Sequence, residues 1–149
     1  MKTRHFLILL ALVVAVAFVV GCSTSSATST PTPDYVGTWS QVDGFGSSTG
    51  TLTMTFAATT AHWAISGGSY AGGTADFSMV VDESAKHMTW TCTVAPTGNA
   101  AFSTAFPMTT GSMLYTTYAV SGTTLQMSHG VNALPFPADA TGGLSLTKQ

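Results

Sequence analysis

Charge is the scarcest property of this sequence. Only 7% of its 149 residues are Asp, Glu, Lys or Arg, against about 25% in ordinary globular chains. Lys2 and Arg4 stand at the extreme N-terminus, so Lys86 and Lys148 are the only cations beyond them, against six acids: Asp34, Asp43, Asp76, Asp82, Glu83 and Asp139. With no basic patch to neutralise phosphates, a nucleic-acid partner is excluded. Cysteine is nearly absent too, with Cys22 and Cys92 alone. Helical periodicity is missing throughout. So are the signatures of catalysis: neither a G-x-S-x-G nucleophile elbow nor an H-E-x-x-H or Walker sequence is expected. The adjacent Asp82 and Glu83 point apart in a strand or turn, and Gly67-Gly68 and Gly72-Gly73 precede no helix that would make them a phosphate cradle. His62, His87 and His129 are too scattered for the close spacing of a zinc site. No enzymatic activity, cofactor or metal is expected.

What is present begins with a basic start, Lys2, Arg4 and His5, followed by an unbroken apolar run over 6–20. Fifteen apolar residues fall short of the roughly 20 that span a bilayer, so the run reads as the core of an export signal rather than as an uncleaved anchor. It closes on Val19-Val20-Gly21-Cys22, which resembles the lipobox of bacterial lipoproteins. The resemblance implies a signal peptide over 1–21 and a Cys22 thiol that accepts a diacylglyceryl group. It also implies palmitate-type acyl chains that hold the protein to a membrane of the cell envelope. One chain anchors marginally and two or three do so firmly. Ser23, by the same resemblance, directs the protein to the outer membrane where the organism is a diderm bacterium. With Cys22 so used, Cys92 has no partner for a disulfide. Residues 22–33 then form a Ser/Thr/Pro-rich tether, which cannot bury enough apolar area to order itself.

From 34 to 149 the chain alternates with a period of two, the mark of strands with one apolar face. Leu52, Met54 and Phe56 alternate with threonines, as do Met88, Trp90, Cys92 and Val94. Trp63 with Ile65, the trio Phe77, Met79 and Val81, the pair Tyr118 and Val120, then Leu125 with Met127 and Leu144 with Leu146 behave alike. With an opening strand near Val36 to Val42, about eight strands result. One apolar face per strand and local connections predict an all-β, antiparallel up-and-down barrel, because closure removes sheet edges.

Gly37-Thr38-Trp39 resembles the G-x-W signature on the first strand of lipocalins and their calycin relatives. There the tryptophan plugs the closed end, so the resemblance gives Gly37 and Trp39 that structural role. The run 118–125 is similar to the penultimate hairpin of bacterial lipocalin-like lipoproteins, and 144–148 to their closing strand. The usual lipocalin is longer, and no second or third lipocalin motif occurs. Streptavidin-type barrels also open with Gly-Thr-Trp, but their later tryptophan-containing segments are not matched.

Connection lengths place a candidate site. Those over 57–61, 82–85 and 121–123 are short. Those over 43–50, 67–73, 95–112 and 130–142 are long and carry Phe45, Tyr70, Phe102, Phe106, Met108, Leu134 and Phe136. In a meander the two sets fall at opposite ends, which makes one end tight and the other a mouth ringed by aromatic loops. An eight-stranded interior either holds one small ligand or is filled by side chains. Two readings follow: a monomeric barrel binding a small apolar ligand through Phe45, Tyr70, Phe102, Phe106, Phe136, Trp63 and Trp90, or a filled barrel presenting its loops to an envelope protein or a hydrolase.

Overall fold

The computed structural model describes residues 31–43 and 50–149. The expected signal peptide, Cys22, the tether up to residue 30 and Phe45 lie outside the described residues. Residues Thr32–Gln149 form one compact unit. Eight strands follow one another: β1 (Gly37–Val42), β2 (Thr51–Phe56), β3 (Thr60–Ser66), β4 (Thr74–Asp82), β5 (His87–Thr97), β6 (Met113–Ser121), β7 (Thr124–Met127) and β8 (Leu144–Lys148). Each pairs antiparallel with the next, and β8 returns to β1 through Trp39↔Lys148 and Ser40↔Thr147. The chain forms the closed, all-β, eight-stranded meander its alternation predicts. Among the described residues no helix is long and apolar enough to cross a membrane.

The buried positions are those the alternation selects. Trp39, Leu52, Met54, Phe56, Trp63, Phe77, Met79, Met88, Trp90, Cys92, Leu125, Met127 and Leu146 all point inward. Their threonine neighbours face out, the ordinary pleat of a half-buried sheet. One position departs. Cys92 pairs with Phe77, yet Val94 pairs with Asp76 and Thr97 with Thr74, so β5 carries extra residues against β4. An extra residue reverses the faces beyond it. Val94, expected to point inward, is therefore 46% exposed, and Pro96 is buried instead.

The turns at one end are short: 57–59, 83–86 and 122–123. Trp39 is fully buried near this end. Its indole Nε1 donates to the Tyr35 carbonyl at 2.8 Å, and Lys148 Nζ stands 5.1 Å from the ring centroid. Gly37 adopts φ +134°, a conformation that costs glycine little. A side chain there would press on the Lys148 stem. The Tyr35 hydroxyl closes the end by donating to the Ala58 carbonyl at 2.9 Å.

The opposite end carries the long connections and a short helix, α1 (Ala100–Ala105), that the sequence reading misses. Six residues are too few to show a period, but the helix has a physical start. Asn99 caps it, its Oδ1 accepting from Phe102 N at 3.0 Å, while its Nδ2 donates to the carbonyls of Ser69 and Ala71. Asn99 thus ties α1 to the β3–β4 connection. Gly73 makes room for it, since a Cβ there would strike the Phe102 ring.

Candidate functional site

The tryptophans of β3 and β5 meet inside the barrel. Trp63 lies 4.5 Å from Phe77 and 6.0 Å from Trp90 between ring centroids. Trp90 is also 5.6 Å from both Phe56 and Phe77. Phe56 in turn meets Tyr35, and Tyr35 meets Tyr118, so aromatic packing runs from mid-barrel to the tight end. Towards the mouth the packing stops. Above Met54, Trp63, Trp90 and Met127 opens a cavity of about 730 Å³, within the range that holds small ligands. Phe106, Met108, Leu114 and Leu144 form its walls, and Met113, His129 and Asn132 reach its rim. Its deeper polar groups are Thr116 and Ser128, whereas the described lining includes no Lys, Arg, Asp or Glu.

The structure separates the sequence-predicted site residues into groups. Trp63, Trp90 and Phe106 line the cavity. Tyr70 and Phe102 stand behind Phe106, with ring centroids 6.2 Å and 5.1 Å from it, and Phe102 is fully buried. They brace the wall rather than line the cavity. Phe136, placed at the mouth by loop length, is not there. Its loop folds back along the outside of the barrel, where Phe136 stacks on His87 at 4.0 Å and meets Tyr115 edge-on at 5.5 Å. Thr117 Oγ1 donates to the Pro137 carbonyl and holds the loop down. Gly37 and Trp39 lie apart from the cavity. The residues that sequence reasoning missed are Leu114, Thr116 and Ser128. Leu114, Thr116 and Tyr118 alternate on one face of β6, but a threonine in the middle hides the alternation.

The ionisable side chains are scattered. His62 Nδ1 is 2.5 Å from Asp76 Oδ1 on the exposed outer face of β3 and β4, beside a shallow groove of about 280 Å³. His87 packs under Phe136, and His129 stands at the rim. Among the described residues no three of His, Cys, Asp and Glu stand close enough to hold a metal. Cys92 is buried, and burial followed by the nearby Asp76 pushes its thiol up, which leaves it a poor nucleophile. Tyr118 is buried too. Its hydroxyl has no hydrogen-bond partner among the described residues, and burial, then Asp34 and Glu83, push it up. The expectation that no G-x-S-x-G occurs is corrected by residues 46–50, which spell it; a nucleophile elbow needs a strand running into a helix, and residues 44–49 lie outside the described residues.

Comparison of the chain with protein-family models, with curated proteins and with solved structures returned no match.

Proposed function

We propose that this protein is a lipid-anchored member of the cell envelope whose small, lipocalin-like barrel binds an apolar ligand through its mouth. The observation that carries the binding half is the cavity of about 730 Å³ over Trp63 and Trp90. Closed and packed at the far end, walled by methionine and phenylalanine, it offers apolar burial with few fixed polar contacts. Methionine adapts to irregular partners, so the lining suits a ligand of loosely specified shape. The alternative, a filled barrel presenting aromatic loops to a protein, fits less well. Tyr70, Phe102 and Phe106 contact one another, and Phe136 covers the barrel's own wall. The direct test is native mass spectrometry of the protein purified from envelope extract without denaturation. A bound small molecule is expected to travel with it; an empty protein that also fails to shift an apolar dye would remove the binding reading.

The anchoring half rests on the Val19-Val20-Gly21-Cys22 sequence alone. Cys22→Ala removes the only acceptor thiol in that motif, so acyl labelling and membrane retention are expected to vanish and the precursor to stay uncleaved. Metabolic labelling with a fatty acid checks this, and label persisting in the variant would end the lipoprotein reading.

A further inference from the structure

The hydroxyls deep in the cavity name the class of ligand, an inference that rests on the binding reading above. Thr116 is 4% exposed and Ser128 is 5% exposed, and both line the cavity. Thr116 lies on β6, and Ser128 lies just past the end of β7 opposite the neighbouring Thr117, whose carbonyl accepts from Ser128 N. Thr116 Oγ1 accepts from Trp90 Nε1 at 2.8 Å, and Ser128 Oγ accepts from Thr117 N at 2.9 Å. A hydroxyl has lone pairs to offer and also one proton to give. Here each oxygen is already engaged as acceptor, while neither proton has an acceptor among the described residues. Two buried donors are therefore left for whatever enters, and a buried donor left unsatisfied is costly.

The same cavity is poorly built for a carboxylate. Its described lining has no Lys or Arg, and its imidazole, His129, is exposed at the rim, whereas Thr116 and Ser128 are buried. Lys86 pairs with Asp34 at 3.1 Å beside the β4–β5 turn, and Lys148 lies over Trp39, both towards the tight end. An anion drawn down to the two hydroxyls would lose its water without gaining a counter-charge. We propose that the pocket takes an uncharged apolar molecule bearing a carbonyl-type acceptor, such as an ester, ketone or quinone, that the Thr116 and Ser128 hydroxyls hold its oxygen, and that free fatty acids are discriminated against.

Tryptophan fluorescence tests this, because Trp63 and Trp90 line the cavity. Residues 32–149, a compact unit containing the whole barrel, are titrated at neutral pH with methyl laurate, laurate and tetradecane. The ester is expected to bind at least about ten-fold more tightly than the acid, since burying an unpaired charge is far costlier than burying a neutral ester. It should bind about five-fold more tightly than the alkane, the scale of one net hydrogen bond. Laurate binding as well as its ester overturns the proposal but leaves a binding pocket standing. No response to any of the three overturns the pocket reading itself. Thr116→Val should bring the ester down to the alkane's affinity, while Thr116→Ser, which keeps the hydroxyl, should preserve the preference. An undiminished preference in Thr116→Val sinks the assignment of the donor. If that variant does not fold, Ser128→Ala carries the same test with the same two outcomes.

Discussion

The two ends of this barrel are built from similar side chains and end up differently. At the tight end Tyr35, Phe56 and Tyr118 meet edge to face and Trp39 is sealed beneath Lys148. At the mouth, Trp63 and Trp90 line a cavity of about 730 Å³. Connection length makes the difference. Turns of two to four residues have nothing to spare, so the inward side chains of the strands must fill the space themselves, and they do. The long connections bring their own apolar residues, and these satisfy one another first. Phe102 is buried between Tyr70 and Phe106, and Phe136 against His87, so the loops wall the mouth without filling it. Charge follows the same division: both barrel lysines belong to the tight end, and the described pocket lining has neither lysine nor arginine.

The sharpest way to break this contrast is to truncate one aromatic at each end. Trp39→Ala should cost about 3–5 kcal/mol, the usual range for a buried large aromatic. Phe106→Ala, half-buried at the cavity wall, should cost under about 2 kcal/mol yet weaken ligand binding. Urea unfolding of both variants measures the pair, and equal losses would mean that the mouth is packed as tightly as the far end. Next in size is a change that fills the cavity. Leu114→Trp should lower dye or ester affinity at least about ten-fold by occupying ligand volume, with a stability change within about 1 kcal/mol because the wall is half-open. Unimpaired binding in that variant would place the ligand elsewhere.

Orientation sharpens the comparison further. The chain enters β1 at the tight end, where Gly37 pairs with Phe56, so on the lipoprotein reading proposed above an anchor would join the barrel at the end away from the Trp63–Trp90 cavity. Spin labels at Ser69, in the β3–β4 connection of the mouth, and at Ser84, in the β4–β5 turn, report this in vesicles carrying the full lipidated chain. The Ser84 label is expected to be the better protected from a water-soluble relaxation agent; the reverse order would turn the mouth towards the bilayer.

The smallest expected effect is a pH dependence of the tight end. Hydrogen bonds from the Ser84 hydroxyl and the Ala85 amide hold the Asp82 carboxyl below its usual value of 3.8. Its folded pKa is thus lower than its unfolded one, so the stabilisation is fully present above the unfolded value and is lost as pH falls through the folded one. Thermal unfolding of Asp82→Ala beside the parent protein should show a small deficit at neutral pH that narrows in strong acid. A deficit that stays constant would assign the loss to turn geometry rather than to charge.

How much of this was legible beforehand differs by region. The strand interiors were, because inward and outward positions alternate with a period of two that any stretch of β-strand displays locally. Leu52-Thr53-Met54-Thr55-Phe56 shows it without help from its neighbours. The helix α1 was not, since six residues are too few to show a period and its capping Asn99 is held by the carbonyls of Ser69 and Ala71, about thirty residues away. The donors Thr116 and Ser128 were not legible either, because a buried threonine and an exposed one are the same letter until Trp90 is brought alongside.

The sequence by itself determined the all-β class, the number of strands, the faces they bury, which connections are long and how few charges there are to place. All of these follow from local periodicity, local turn chemistry and composition. Only the tertiary structure decided that β5 bulges and turns Val94 outward, that Phe136 lies on the outer wall instead of at the mouth, and that a cavity remains above Trp63 and Trp90. Each of those outcomes is a competition between residues far apart in the chain for the same contacts. Such a competition is resolved by closing the barrel and docking the loops, and no single segment carries its result.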